Sequence, residues 1–204
     1  MSLNSRISSA VMAAALMVIP AFGQARVGDA APAFTATDSH GRAQALDKYR
    51  GKFVVLEWHN QGCPYTRKHY ESGNMQELQH EWTAKGVAWF TVISSAPGEQ
   101  GYVTPDKENA YVAQMHASPT AVLLDPQGKL GRLYGARTTP HMFVIDPQGK
   151  LVYEGAIDDR PTPDVDDIKG ADNYVNDALS AAMTGKPVAK PFTRPYGCSV
   201  KYSE

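Results

Sequence analysis

Seven consecutive residues, Phe53-Val54-Val55-Leu56-Glu57-Trp58-His59, form a β-branched and aromatic run that leads into Gln61-Gly62-Cys63-Pro64. A strand this apolar on both faces belongs in the middle of a sheet covered on both sides. Pro64 then starts a helix, because proline at the first helical position forfeits no hydrogen bond. Cys63, just before it, faces the unpaired N–H groups of the first turn. Those donors and the helix dipole favour negative charge, so Cys63 is expected to be partly ionised at neutral pH and to act as a nucleophile. A cysteine can also serve as a small buried hydrophobe, but Gly62 and Pro64 in a strand-to-helix turn argue against that use. Arg67 and Lys68, one turn on, read as solvent-facing charges that could add to the effect.

The rest of the chain supplies what such a strand needs around it. Phe34 to Asp38 and the turn Ser39-His40-Gly41 suggest a short hairpin. After Cys63 the helical pattern resumes past Gly73 and runs from about Asn74 to Lys85, followed by a strand over Val87 to Ser94. Thr104-Pro105-Asp106 starts a helix reaching about Ala117, and Thr120 to Asp125 is the next strand. The pentapeptide Asp-Pro-Gln-Gly-Lys occurs at 125–129 and again at 146–150; it reads as type I turn chemistry rather than as an internal repeat. The second copy joins Met142–Ile145 to Leu151–Gly155 as a hairpin, and a last helix covers about Asp172 to Met183. Strands alternating with helices in this order describe an α/β fold, a mixed central sheet flanked by helices.

The first 25 residues differ in kind. Arg6 is their one charged side chain, Ala10 to Ala21 is mostly apolar, and Gly23-Gln24-Ala25 offers the small residues a signal peptidase reads. The apolar run is too short for a membrane span, which needs roughly 20 residues, so residues 1–25 are expected to be a signal peptide rather than an anchor. The 204-residue chain less those 25 leaves 179, enough for one domain with its own core, assigned to 26–185, and a Pro-rich tail, 186–204, that carries Cys198. The near-neutral charge, formally −1, gives no electrostatic footprint for nucleic acid, and no segment reads as a stable membrane insertion. The chain holds two cysteines, and export would deliver both to an oxidising compartment, the periplasm.

Glu57 is anomalous in a central strand. Burial of a carboxylate raises its pKa and suits it to exchanging protons with a nearby thiol; the structural alternative is that it points to an edge or pairs with a lysine. Thr139-Pro140 precedes the strand His141 to Ile145, where a proline marks a strand start or a cis bond.

Val54-Val55-Leu56-Glu57-Trp58 before Gly62-Cys63-Pro64-Tyr65-Thr66, with Thr139-Pro140 ahead of Phe143-Val144-Ile145-Asp146, resembles the redoxin group of the thioredoxin superfamily. That group includes the alkyl hydroperoxide reductase/thiol-specific antioxidant proteins and the TlpA-type reductases. The resemblance reaches to about Met183 and implies a thioredoxin-like fold. It also implies that Cys63 is the nucleophile, Pro140 the cis-proline beside it, Thr139 the residue whose backbone pairs with substrate, and Glu57 the buried acid. Pro64, Thr139 and Pro140 are the expected substrate contacts. Two departures matter. Thioredoxins carry Cys-x-x-Cys, whereas Cys63-Pro64-Tyr65-Thr66 puts a hydroxyl where the second thiol belongs; Thr66 can donate to a thiolate but cannot resolve a mixed disulfide. Peroxiredoxins carry Pro-x-x-x-Thr/Ser-x-x-Cys, and the matching positions here are Leu56 and Asn60.

Cys198 is then the expected resolving thiol, brought back by a mobile tail, as C-terminal cysteines are in some peroxiredoxins. A Cys63–Cys198 bond would close a loop of 135 residues and, in the entropic account, stabilise the fold by roughly 4 to 5 kcal/mol. A permanent structural clip, a free tail thiol and an intermolecular pair are the other uses of Cys198. The leading expectation is an exported thiol-disulfide oxidoreductase acting on a disulfide-bearing protein, with an external thiol reductant and no cofactor. A peroxidase passing through Cys63 sulfenic acid is the alternative. A metal module using His59, Cys63, His69 or Cys198 and a redox-inert domain complete the readings considered.

Overall fold

In the computed structural model, which describes residues 24–203, the central sheet has seven strands in the order β2-β1-β5-β4-β3-β7-β8. The elements run β1 (Thr35–Asp38), β2 (Ala43–Ala45), β3 (Val54–Trp58), α1 (Pro64–Glu71), α2 (Asn74–Ala84), β4 (Ala88–Ile93), α3 (Pro105–Gln114), β5 (Ala121–Leu124), α4 (Lys129–Tyr134), β6 (Thr138–Thr139), β7 (His141–Ile145), β8 (Leu151–Gly155), α5 (Tyr174–Met183) and β9 (Cys198–Ser199). β3 is buried along its whole length, parallel to β4 and antiparallel to β7. The mixed α/β architecture expected from the sequence is the one found.

The period of two in β3 divides the core. Val54, Leu56 and Trp58 pack with Phe90, Val92, Leu123, Phe143 and Tyr134 on one side. Val55 faces the other side, where Tyr70, Met75, Leu78, Trp82, Val175 and Leu179 of α1, α2 and α5 cover the sheet. Glu57 shares the side of Val55 and therefore lies under α1 and α2.

The two Asp-Pro-Gln-Gly-Lys copies both turn, closing Gly128 N–H to Asp125 O and Gly149 N–H to Asp146 O, each at 2.8 Å. Only the second continues as the expected hairpin. The first opens α4, which the sequence pattern did not reveal: Leu130 and Tyr134, spaced at helical period, are buried against the core. After the second copy, Leu151, Tyr153 and Gly155 alternate in burial as a strand does.

The segment after α5 is not the mobile tail the sequence suggested. It lies across the domain as a strap. Glu154 N–H donates to Pro191 O and Thr193 N–H to Glu154 O, both at 3.1 Å, and the Thr193 hydroxyl accepts from Ala156 N–H at 2.9 Å. Gly155, at φ +147°, lets the strap approach; a Cβ there would stand 2.4 Å from Thr193 O. Farther on, Val200 enters the core and Ala96 N–H donates to Lys201 O at 2.8 Å. Proline and glycine flanks read as looseness in isolation, but the exposed edge of β8 offers the backbone partners that fix them. Of the expected signal peptide, residues 1–23 lie outside the described region; Ala25 is buried in the core. No helix among the described residues is long and apolar enough to cross a membrane.

Candidate active site

Cys63 is the N-cap of α1, in extended conformation (φ −82°, ψ 123°), with Pro64 in the first turn. Its N–H closes a turn to Asn60 O at 2.9 Å, and its carbonyl accepts from Arg67 N–H at 2.9 Å. The Asn60 side chain holds that turn, accepting from Gly62 N–H at 2.8 Å and donating to Gln100 Oε1 at 2.9 Å. Cys63 is completely buried. The strand-then-helix chemistry of the sequence is enough to build this half of the site.

Across from it, Thr139-Pro140 is a cis peptide bond. The Cys63 thiol donates to Thr139 O at 3.0 Å. Residue Thr139 is paired in turn with Cys198, and Thr138 with Ser199, in the antiparallel β6–β9 ladder. Gly197, at φ +121°, makes the approach possible; a Cβ there would fall 2.1 Å from Thr139 O. Both cysteines are free thiols, Cys63 buried and Cys198 partly exposed.

The two thiols ionise differently. Burial works against the Cys63 thiolate, and the Thr139 carbonyl accepts the thiol proton. The Cys198 thiol, the Thr139 hydroxyl and the N–H groups of Thr66 and Cys198 favour the thiolate, and the net effect holds Cys63 below the ordinary thiol range. Burial and the neighbouring Cys63 push Cys198 up to about 11. The Thr66 contribution comes from its backbone; its hydroxyl, expected to donate to Cys63, is buried without a partner.

Glu57 is fully buried beneath α1 and α2. Tyr70 Oη donates to it at 2.8 Å, Trp89 Nε1 at 2.8 Å, Gln79 Nε2 at 3.1 Å and Thr91 Oγ1 at 3.3 Å. These donors replace the water that burial removed. No hydrogen bond joins Glu57 to Cys63 directly; His59 Nδ1 is 3.6 Å from Glu57 Oε1.

Lys68, read from the sequence as solvent-facing, is completely buried: Nζ donates to Arg160 O at 2.6 Å and lies 3.5 Å from Asp158 Oδ2. Asp158 also accepts from the Tyr196 hydroxyl, which lies 3.1 Å from His69 Nε2. Burial, with Lys68 beside it, holds His69 down to about 3, so its imidazole is neutral. This cluster pins Tyr196 two residues before Cys198. The expectation for Arg67 holds, as it is exposed beside Glu71 at 3.9 Å. Sequence reasoning missed Asp158 and Glu108 altogether, because an acid in a loop or in a first helical turn reads as solvated or dipole-satisfying. Among the described residues no three His, Cys, Asp or Glu side chains gather as a metal set.

The AhpC/TSA family model matches residues 27–154. Probable glutathione peroxidase 8-B of Xenopus laevis is 38% identical over 72 residues, which is 35% of this chain and 32% of that protein, so the chain spans about a third of that relative. Among solved structures, a hypothetical protein of Sinorhizobium meliloti 1021 shares the fold at TM-score 0.76 and 22% identity, covering 89% of this chain and 97% of that one. A protein assigned as the thiol:disulfide interchange protein DsbE of Chlorobium tepidum matches at TM-score 0.52 and 27% identity, over 64% and 85% of the two chains.

Proposed function

From the premise that this chain belongs to the AhpC/TSA family and is a thiol-dependent oxidoreductase, we propose that it is a two-cysteine thiol-disulfide oxidoreductase with Cys63 as attacking thiol and Cys198 as resolving thiol. The observation that carries the reading is the Thr139–Cys198 pairing, which sets Cys198 beside the Cys63 thiol. The Cys63 thiolate attacks one sulfur of a substrate disulfide, forming a mixed disulfide and releasing the other half as thiolate. Cys198, as thiolate, attacks the Cys63 sulfur, expels the retained half and leaves Cys63–Cys198 oxidised by two electrons. An external thiol reductant returns both cysteines to the reduced state. Glu57 handles the proton lost by Cys63. Pro64, Thr139 and Pro140 border the substrate, and the Thr66 N–H steadies the thiolate. We further assign residues 1–25 to export into the periplasm.

One observation favours the peroxidase reading as a second possibility. Cys63 is completely buried beneath the strap, which a small hydroperoxide negotiates more easily than a folded protein does. In that case Cys63 becomes a sulfenic acid and Cys198 condenses with it, releasing water.

Cys63→Ser should abolish insulin-disulfide reduction and peroxide consumption alike. Cys198→Ser should permit a single turnover that stalls as a mixed disulfide or sulfenic acid. Peptide mapping of the wild-type protein after one equivalent of oxidant should find Cys63 bonded to Cys198 within one chain; two separate oxidised thiols would defeat the resolving role. Whichever oxidant consumes the Cys63 thiol faster decides between the two readings.

A further inference from the structure

Returning a Cys63–Cys198 bond to two thiols requires an incoming thiolate to reach one of the two sulfurs. Cys63 is completely buried, its thiol against Thr139 O at 3.0 Å, whereas Cys198 is partly exposed. Access therefore favours the Cys198 sulfur. Leaving-group chemistry agrees, because attack on one sulfur expels the other as thiolate, and a thiol of lower pKa leaves faster. Cys63 is held below the ordinary thiol range and Cys198 is pushed up to about 11, so attack at Cys198 expels the better leaving group.

A cleft of about 500 Å³ adjoins Cys198 through Gly197. It is lined by Thr138, by Pro161 and by the strap residues Arg194, Pro195, Tyr196 and Gly197, so it reaches the residue before Cys198 and the strand partner of Ser199. Its volume lies in the range that small ligands occupy. No acid is among its lining residues, and Arg194 is exposed with no carboxylate partner among the described residues. The Tyr196 hydroxyl is engaged by Asp158 and His69, so its ring offers the cleft apolar surface rather than a donor. Lys201, whose Nζ donates to Ser199 Oγ at 3.0 Å, adds a second cation next to the cysteine. We propose that this cleft receives the external reductant, a small thiol bearing a carboxylate, which pairs with Arg194 and directs its sulfur at Cys198. The proposal rests on the Cys63–Cys198 reading and names the class of reductant which that reading leaves open. The incoming thiolate bonds to the Cys198 sulfur, and the Cys63–Cys198 bond breaks with Cys63 leaving as thiolate. A second molecule of the same thiol attacks the sulfur of the first, and Cys198 leaves and takes up a proton. Two small thiols are thereby oxidised to one disulfide, the two cysteines regain two electrons, and the second thiol proton goes to solvent.

The test takes the full chain, oxidised with one equivalent of hydrogen peroxide and mapped for the Cys63–Cys198 bond, and follows its reduction by thioglycolate and by neutral β-mercaptoethanol. Arg194→Ala should slow thioglycolate about three- to fivefold, the size of an exposed ion pair, and leave β-mercaptoethanol unchanged. High salt should slow thioglycolate on the wild-type chain in the same selective way. Acid quenching early in the wild-type reaction should find thioglycolate bonded to Cys198 and the Cys63 thiol free. An Arg194→Ala protein that slows both thiols equally, or neither, overturns the proposal. So does an adduct on Cys63, a result read on the wild-type chain that decides the matter whatever becomes of the variant. If oxidation forms no Cys63–Cys198 bond, the two-cysteine reading falls and this proposal with it; mapping before reduction separates that outcome from a bond that forms and is attacked elsewhere.

Discussion

Cys63 stands where β3 hands over to α1, fully buried, its backbone held by residues within a few positions in the chain. Cys198, 135 residues later, is held partly exposed on a two-residue strand by contacts drawn from β6, from the Lys68–His69–Asp158 cluster and from the core around Val200. One cysteine is placed by local chemistry and the other by the sum of many long-range contacts. The local segment positions the attacking thiol, and the strap completes the site and helps to hold the thiolate. Weakening the strap should therefore impair resolution while leaving Cys63 ready to attack.

Gly197→Ala is the strongest way to break that division. At φ +121° an alanine is strained, and its Cβ would collide with Thr139 O. The β6–β9 ladder should be displaced, slowing Cys63–Cys198 bond formation tenfold or more, an effect of about 1–3 kcal/mol on local structure. Stopped-flow thiol loss and mapping of the disulfide would measure it; a normal rate would show that the strap does not set the geometry. First attack by Cys63 on a small oxidant should change far less.

Tyr196→Phe should act in the same direction, more weakly. It removes the hydroxyl shared by Asp158 and His69, leaving a buried carboxylate short of a donor and costing about 1–3 kcal/mol of stability. Urea midpoints and hydrogen exchange of Val200 N–H, which donates to Arg137 O at 2.9 Å, would show whether the strap loosens.

The smallest expected effect is on the ionisation of the two thiols. Cys63 is held below the usual thiol range and Cys198 is pushed up to about 11, so the pair should titrate in two separated steps followed by ultraviolet absorbance of the thiolates. Cys198→Ala removes the thiol beside Cys63 and leaves neither a donor nor an ionisable group in its place. The upper step should vanish, and the lower one should rise modestly as the Cys198 thiol donor is lost. A lower step that fell instead would mean that Cys198 opposes the Cys63 thiolate rather than supporting it. The linked stability follows the same sign: the contribution of the depressed Cys63 is present above the unfolded thiol value and is lost as pH falls through its folded value.

Much of the frame was legible in the sequence because it depends on short-range pattern. The apolar run at 53–59 identified the central strand, Thr104-Pro105 the start of α3, and the second Asp-Pro-Gln-Gly-Lys the β7–β8 hairpin. The first copy of that pentapeptide marks the limit of short-range pattern. The same five residues lead into α4 because Leu130 and Tyr134 find a core to enter, and the turn itself does not encode which continuation follows. Lys68 shows the same limit, since a basic residue in a helix reads as solvated until a distant Asp158 is folded against it.

For the site, local sequence is enough to position Cys63: a buried strand, a glycine, a cysteine and a proline place a thiol at a helix start wherever that segment folds. It also marked Glu57, Thr139, Pro140 and Cys198 as residues to watch. It took the whole fold to dock the tail as a strap, to bring Cys198 against Thr139 through Gly197, and to bury His59 and Glu108 without hydrogen-bond partners. The physical reason is range. Capping and strand burial are settled by neighbours along the chain, whereas the pairing of residues 59 positions apart and the desolvation of titratable side chains depend on which surfaces the whole fold brings together.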